Sequence, residues 1–241
     1  MAILEVSDLV KKFGGLLAVN KLSFVLNEGE MLALIGPNGA GKTTVFNTIT
    51  GFHRPNSGEI LFKNQAIHGL KPHKICRMGM ARTFQIVQPF PELTIFENIL
   101  IGAFSRAGKM SKAMARAEEV LETTGLYHLR DIKGSAVTLA DRKRLELAKS
   151  MATGAEVVLL DEVMAGLTPK ETKDFINLIQ SINSSGVTFL IIEHNMKAVV
   201  ALAQRIIVID YGTKIAEGTP DAVLQNQKVI DAYLGKGSDI A

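Results

Sequence analysis

The chain has 241 residues, of which 47% are hydrophobic, and a formal net charge of +3. That length is within the range of one α/β domain and is enough to bury a sizeable core. The small net charge argues against a nucleic-acid-binding protein, which would more often carry a concentrated basic stripe. With Cys76 as its one cysteine, the chain cannot form an internal disulfide, and a reducing compartment fits best.

Membrane-spanning and export signals are also missing from the sequence. The segment 1–15 has neither the apolar core nor the cleavage site of a signal peptide. No apolar run reaches the ~18 residues that span a bilayer. We therefore expect any membrane role to depend on a partner.

Strands and turns fill the first part of the chain. Strand patterns occur at 4–10, 22–26 and 59–62. A glycine-rich loop is followed by a predicted helix from about Lys42 to Thr50, which Gly51 ends.

Short, continuously apolar runs predict buried parallel strands, because both faces of such strands are covered. The runs are Met31–Ile35, Val157–Leu160, Thr188–Ile192 and Ile206–Ile209. Between about Pro91 and Ala152 the strand signals give way to helical periodicity, after which strands and helices alternate as far as Leu224. The pattern predicts a parallel sheet interrupted by a helical insertion.

The glycine-rich loop follows a buried strand and precedes a helix, and it matches the phosphate-binding P-loop pattern. We predict that it and the next residue bind nucleotide phosphates through Gly36, Pro37, Asn38, Gly39, Ala40, Gly41, Lys42, Thr43 and Thr44. Backbone amides and the helix N-terminus favour an anion there. Lys42 would contact the β- and γ-phosphates, and the Thr43 hydroxyl would ligate Mg²⁺.

An acidic pair follows the apolar run Val157–Leu160. The carboxyl ends of parallel strands are where α/β sheets place ligands. Asp161 fits a Mg²⁺ site, with water between the carboxylate and the ion, because Mg²⁺ keeps much of its hydration shell. Glu162 fits the general base for an attacking water.

With these two motifs, the chain resembles the ATP-binding-cassette (ABC) ATPases over essentially its whole length. Gln85 in Arg82–Gln85 corresponds to the Q-loop glutamine, His194 to the switch histidine, and Phe13 to the aromatic residue that stacks on adenine. The segment Ala165–Pro169 corresponds to the D-loop.

The resemblance implies an α/β P-loop NTPase fold with a parallel-sheet core, an N-terminal antiparallel β part and a helical insertion. It implies one ATPase domain over 1–241, with the nucleotide-binding core and β part at about 1–90 and 153–241 and the helical subdomain at about 91–152.

Within that family the chain is similar to the ATPases of branched-chain amino acid importers. The stretches that carry this are 13–19, 81–85, 145–148 with 165–167, and the ending 229–235. Related branches move amides, urea or other hydrophobic solutes, and they stay open as alternatives.

One motif departs from the family pattern. The usual signature, Leu-Ser-Gly-Gly-Gln, corresponds here to the segment 137–141. Thr138 keeps the hydroxyl, whereas Ala140 replaces a glycine and Asp141 replaces a neutral amide. This predicts either a weakened signature or neutral branch variation. Val163 stands where a proline usually follows the acidic pair, and we expect little consequence from it.

The resemblance also implies a mechanism. Two ATPase subunits face each other, and each ATP lies between one P-loop and the other subunit's signature. Lys42, Glu162, His194 and Gln85 would be the catalytic residues, with Mg²⁺ held by Thr43, Gln85 and Asp161. The cofactors would be ATP and Mg²⁺, and Thr138, Ala140 and Asp141 would act on the opposite subunit's ATP.

The implied partners are integral-membrane permease subunits, a second ATPase subunit and, indirectly, a solute-binding protein. The resemblance favours a different chain as the second ATPase, and an identical chain stays open. The chain would sit on the cytoplasmic face of the cell membrane, attached through the permease. The apolar, aromatic segment Phe90–Phe96, beside the Q-loop, would form the groove for a permease helix, or pack the helical part, or do both.

Three other functions remain as alternatives. A soluble ABC-type ATPase of repair or translation usually has a coiled-coil insertion or a second cassette, which this chain lacks. A weakly hydrolysing regulatory subunit fits poorly with an intact Glu162 and His194. A P-loop kinase would lack the Q-loop, D-loop and switch-histidine series.

Overall fold

A computed structural model of the protein describes residues 1–83 and 89–234, with residue 107 described by its backbone alone. The chain forms two compact units. The first unit joins Met1–Pro72 to the part of the chain that begins at Thr188, and the second unit is His73–Val187.

The N-terminal part of the first unit is rich in strands. Its elements are β1 (Ala2–Phe13), β2 (Leu16–Asn27), β3 (Met31–Ile35), α1 (Lys42–Ile49), β4 (Ser57–Phe62) and β5 (Gln65–Ala66). Four of the strands form an antiparallel sheet in the order β2-β1-β4-β5, with Leu4 opposite both Leu26 and Phe62. The predicted strands lie inside β1, β2 and β4, which extend further than the sequence indicated.

The second unit combines a short parallel strand pair with helices. Its elements are α2 (Pro72–Met78, from the last residue of the first unit), β6 (Met80–Arg82), α3 (Ile95–Ala107), α4 (Met110–Thr123), a 3₁₀ turn (Tyr127–Leu129), α5 (Leu139–Ala152), β7 (Val157–Asp161) and α6 (Pro169–Ser184). Strands β6 and β7 pair in parallel, with Arg82 opposite Leu159.

Threonine side chains begin three helices of this unit, by accepting a backbone amide of the first turn as helix caps do. Thr94 caps α3 and Thr168 caps α6, each completed by a glutamate three residues on, and Thr138 caps α5. The helical periodicity predicted between 91 and 152 is confirmed in α4, where Ala113, Ala117, Val120 and Leu121 are buried.

The C-terminal part of the first unit adds β8 (Thr188–Ile192), α7 (Met196–Leu202), β9 (Arg205–Asp210), β10 (Thr213–Gly218), α8 (Pro220–Leu224) and α9 (Gln227–Leu234). Strand β3 pairs in parallel with both β8 and β9, and β10 pairs antiparallel with β9. All residues of β3 and β8 are buried, as their continuous apolar runs predicted.

The helices after β8 cover one side of these strands. A buried cluster joins Ala33 and Ile35 of β3 to Val199 of α7, Val223 of α8 and Val229 of α9. The core beneath the glycine-rich loop is therefore completed by the C-terminal helices.

The predicted fold class is confirmed, with parallel strands, an N-terminal antiparallel β part and a helical part. Within 1–83 and 89–234, no helix is long and apolar enough to cross a membrane.

Candidate nucleotide-binding site

The glycine-rich loop leaves the carboxyl end of β3 and leads into α1, as the motif requires. Gly41, just before the helix, has a φ of +102°, a left-handed conformation that side chains disfavour. A Cβ atom at Gly36 would overlap the carbonyl oxygen of Ile209 on the neighbouring strand. The loop can therefore lie this close to the sheet only because these positions lack side chains.

Lys42 bends back over the loop from the first turn of α1. Its ammonium donates to the carbonyl oxygens of Gly36 and Pro37, at 2.8 Å in each case, and the side chain is buried. Thr43, the next residue, is exposed, and Thr44 is half-buried. The cation thus lies against the same backbone that phosphate groups would approach.

Phe13 ends β1 with a partly exposed ring. Its edge meets His53 at a centroid distance of 5.1 Å, and the Lys11 ammonium lies 4.9 Å from the ring centre. An exposed aromatic face is the surface on which a base can stack, so the position fits the predicted adenine contact.

His194 follows β8, the parallel neighbour of β3. Because both strands run in the same direction, the loop after β3 and the residues after β8 leave the same edge of the sheet. His194 is exposed, and Asn195 caps α7 by accepting the amides of Lys197 and Ala198. The structure thus brings the switch-histidine position and the glycine-rich loop to one edge.

A cavity beside the glycine-rich loop was not predicted from the sequence. A cavity of about 640 Å³ is lined by residues 37–40 of the loop, the turn between β9 and β10, and α9. Tyr233 of α9 lies beside the loop as well. Burial raises the pKa of its hydroxyl, and a hydrogen bond from the Gly36 amide offsets part of that effect. The signal in the sequence was Asp210-Tyr211-Gly212, a polar turn after a buried strand.

In the second unit, Asp161 is the last residue of β7 and is buried. Its carboxylate forms an ion pair with Arg82 of the neighbouring strand, with 2.6 Å between Nη2 and Oδ2. The Asp161 amide donates to the Thr83 hydroxyl at 3.3 Å. The ion pair orients the carboxylate, and the amide contact holds the main chain. Arg82 was not predicted from the sequence as the partner of Asp161.

Glu162, directly after Asp161, has an unusual backbone. Its φ is +50°, in the left-handed region that residues with side chains seldom adopt. Its carbonyl oxygen accepts the Ala165 amide at 3.3 Å and the Lys143 ammonium at 3.4 Å. The chain thus turns sharply at the predicted general base, and such turns recur at functional sites.

The signature segment forms the start of α5. The Thr138 hydroxyl donates to the Asp141 carboxylate at 2.6 Å and accepts the Asp141 amide at 3.2 Å. Asp141 therefore serves this helix as a capping partner. Ala140 is half-buried and Leu139 is exposed.

Gln85 lies outside the described residues. The remaining metal-site candidates are Thr43 in the first unit and Asp161 in the second. Their hydroxyl and carboxylate oxygens suit Mg²⁺, which takes few protein ligands besides water and phosphate. The described residues contain no cluster of three or more histidine, cysteine, aspartate and glutamate side chains that could hold a metal alone.

Comparison with known proteins agrees with this chemistry. Residues 19–165 match the family model for ABC transporters, and residues 213–239 match a model described as a branched-chain amino acid ATP-binding cassette transporter.

Two curated relatives are similar over nearly their full lengths. The chain is 44% identical to the high-affinity branched-chain amino acid transport ATP-binding protein LivG of Salmonella typhimurium, over 97% of this chain and 98% of LivG. It is 42% identical to the corresponding protein BraF of Pseudomonas aeruginosa, with the same coverage.

Among solved structures, a nucleotide-free ATP-binding cassette from an ABC transporter superimposes with a TM-score of 0.89 at 32% identity, covering 98% of this chain and all of that one. The loop, the acidic pair and these full-length matches lead to the same conclusion: the chain belongs to the ABC transporter family.

Proposed function

We propose that this chain is the ATP-hydrolysing subunit of a membrane importer whose solutes are branched-chain or other hydrophobic amino acids. The observation that carries the proposal is the 44% identity, over nearly the whole length, to a branched-chain amino acid transport ATP-binding protein. The second family match, at residues 213–239, supports the same solute class.

The reaction is phosphoryl transfer from ATP to water, in which catalysis consists mostly of positioning and charge stabilisation. The loop amides and Lys42 hold the phosphates, and Phe13 stacks on the adenine. Thr43 would hold Mg²⁺ directly and Asp161 through water, and the resemblance adds Gln85 as a further ligand. When bound, the ion would neutralise phosphate charge. Arg82 keeps the Asp161 carboxylate in place.

Glu162 accepts a proton from the attacking water. The main chain turns at this residue, and the Lys143 and Ala165 contacts to its carbonyl oxygen hold that turn. His194 would hold the γ-phosphate and sense its loss. The resemblance implies that Gln85 would link the Mg²⁺ site to the helical part.

The chain works with a second ATPase subunit, and the resemblance favours a different chain over an identical one. Its own signature residues, Thr138, Ala140 and Asp141, then serve the ATP bound to that second subunit. Permease subunits anchor the pair to the cytoplasmic face of the cell membrane, and a solute-binding protein delivers the solute to the permease. The chain acts as one ATPase domain, with its helical subdomain at about 91–152 next to the permease.

Solute uptake tests this proposal. The gene would be deleted in its host and replaced by the wild-type gene or by Glu162→Gln, and uptake of radiolabelled leucine would be measured with unlabelled competitors. We expect wild type to restore uptake, Glu162→Gln not to, and isoleucine and valine to compete better than acetamide or urea.

The other outcomes separate the alternatives. Uptake of an amide or urea in place of leucine would assign the chain to a related branch. Unchanged uptake of all these solutes in the deletion strain, with an active purified ATPase, would favour a soluble ABC-type ATPase.

A further inference from the structure

Lys143 is a buried cation in the first half of α5. Its side chain has 4% of its surface exposed, and its ammonium lies 3.4 Å from the carbonyl oxygen of Glu162. Burying an ammonium group is costly unless polar groups compensate it. A lysine at this position therefore needs contacts that hold it, and one of them is the main chain of the predicted base.

The neighbouring cations of α5 have different partners. Arg142 donates to the carbonyl oxygens of Val137 and Ser135, which precede the helix. Lys149, near the end of the helix, pairs with Glu146 at 2.7 Å. Of the hydrogen bonds described for Arg142, Lys143 and Lys149, the one to Glu162 therefore belongs to Lys143.

The main chain of Glu162 has a conformation that depends on contacts of this kind. Its left-handed φ of +50° is unfavourable for a residue with a side chain, so the surroundings have to maintain it. The carbonyl group is fixed from two directions, by the Ala165 amide within the turn and by Lys143 from the helix. Because the backbone dihedrals fix the Cα–Cβ direction, these contacts also fix the point from which the Glu162 side chain extends.

The same helix carries the signature residues one turn earlier. Thr138 and Asp141 form its N-terminal cap, and Lys143 follows Asp141 by two residues. A helix is stiff over so short a distance, so a displacement of its capped end would also move the Lys143 contact.

We propose that Lys143 is a positioning residue, which fixes the carboxylate of Glu162 through its main-chain carbonyl and so connects the signature end of α5 to this chain's own catalytic base. The inference rests on the proposed function, because it takes Glu162 as the base of ATP hydrolysis.

A double-mutant cycle in hydrolysis tests the inference. The tagged full-length chain would be purified from its host with the subunits that accompany it, as wild type, Lys143→Met, Glu162→Gln and the double variant. Misplacing a catalytic group by about 1 Å costs up to roughly 10²-fold, so we expect Lys143→Met to lower kcat about 10- to 10²-fold and to change KM for ATP less than about threefold.

The hydrolysis rate of the double variant distinguishes a lysine that positions Glu162 from one that only stabilises the fold. If Lys143 acts through Glu162, the double variant should hydrolyse ATP no more slowly than Glu162→Gln alone, because two residues in one pathway are not additive. Lys143→Arg keeps a cation and should retain most of kcat. Losses that multiply in the double variant, or wild-type kcat in Lys143→Met, would overturn the inference.

Two further variants keep the test decisive. Lys149→Met removes a lysine from the same helix without touching Glu162, and it should keep kcat within about threefold of wild type. If Lys143→Met does not fold, as judged by its Tm, Lys143→Gln replaces it, since its amide is one bond shorter and uncharged. Wild-type hydrolysis in Glu162→Gln would instead refute the proposed role of Glu162 itself, which distinguishes that failure from a failure of Lys143 alone.

Discussion

Lys42 is the one charged residue of the glycine-rich loop 36–44, for which we propose phosphate binding. Its ammonium donates to two loop carbonyls, so it is already held at the place where we propose that phosphates bind. Charge-assisted hydrogen bonds of this kind are worth roughly 1.5–3 kcal/mol.

We expect Lys42→Ala to lower ATP affinity by about one to two decades, the equivalent of that energy, and to lower turnover further. Binding of a fluorescent ATP analogue would measure the affinity, with the exposed Lys112→Ala as control. Unchanged affinity and turnover in Lys42→Ala would refute the assignment of the loop.

In the signature segment, Asp141 has two properties that conflict: it completes the cap of α5, and it carries a charge where the family pattern has a neutral amide. Arg142, Lys143 and Arg144 follow Asp141 directly and are the cations nearest to it in the sequence that could offset its charge. The structure directs Arg142 to backbone carbonyls and Lys143 to Glu162, while Asp141 bonds to Thr138. The Thr-x-x-Asp spacing is itself a capping pattern, so this role of Asp141 could have been predicted.

If the Asp141 carboxylate faces the phosphates of the second subunit's ATP, like-charge repulsion should weaken that site. We then expect Glu162→Gln in this chain to abolish nearly all ATPase activity of the complex, and the equivalent change in the partner to cost much less. Ala140→Gly with Asp141→Gln should raise the rate of the weaker site.

Steady-state hydrolysis by the purified complex would measure both effects, with Asp174→Asn as an exposed control for loss of a carboxylate. Equal losses from the two base substitutions, with no gain on restoring the signature, would mean that the substitutions are neutral variation.

At the scale of elements, the segment before α3 is the surface that we propose for permease docking. Phe90 is exposed, and Phe96 is half-buried beneath Arg130. Thr94 is unsuitable for a surface test, because it caps α3, and losing such a cap costs roughly 1 kcal/mol.

Glu92 is a better position for that test. Its ion pair with Lys133 is exposed on both sides, and such pairs contribute only about 0–1 kcal/mol. We expect Glu92→Lys to reduce co-purification of the permease several-fold while ATP affinity stays unchanged. Glu119→Lys, which replaces another exposed and paired glutamate, should not. Normal co-purification of Glu92→Lys would mean that the docking surface lies elsewhere.

Some strands could be predicted from the sequence and others could not. Strands β3, β7, β8 and β9 were found because each is a continuous apolar run. Strand β6 has only three residues, which are too few to show a hydrophobic pattern. Strand β10 has no fully buried residue, so its alternation of buried and exposed positions is weak.

The candidate site likewise has residues that the sequence could predict and contacts that it could not. The loop, the acidic pair and His194 follow buried strands, and that context made them predictable. The Arg82–Asp161 pair and the Lys143–Glu162 contact join residues 79 and 19 positions apart, and only the fold brings them together.

At the scale of the whole molecule, stability should depend on pH through a network in the first unit. Arg205 of β9 pairs with Glu30 at 2.8 Å and also with Glu217 of β10. Burial raises the pKa of Glu30, but hydrogen bonds from Arg205 and Asn27 lower it more, so the pKa lies below the ordinary 4.5.

A carboxylate whose pKa is lowered in the folded state stabilises the fold above its unfolded pKa, and that contribution disappears as pH falls through the folded value. We expect Glu30→Gln to cost about 1.5–3 kcal/mol at pH 7, the range for hydrogen bonds to charged groups. The difference from wild type should shrink below pH 4.5.

Urea unfolding across this pH range would measure the effect, with the exposed Glu59→Gln as control. A difference that stays constant down to acid pH would contradict the role given to the ion pair.

The central claim is that this chain hydrolyses ATP with Glu162 as the base, and the most direct test is ATP hydrolysis by the purified complex. General-base catalysis contributes roughly 10²–10⁴-fold. We predict a loss of that size in Glu162→Gln with ATP binding nearly intact, and accumulation of the ATP-bound closed dimer. Hydrolysis at the wild-type rate in Glu162→Gln would contradict the account.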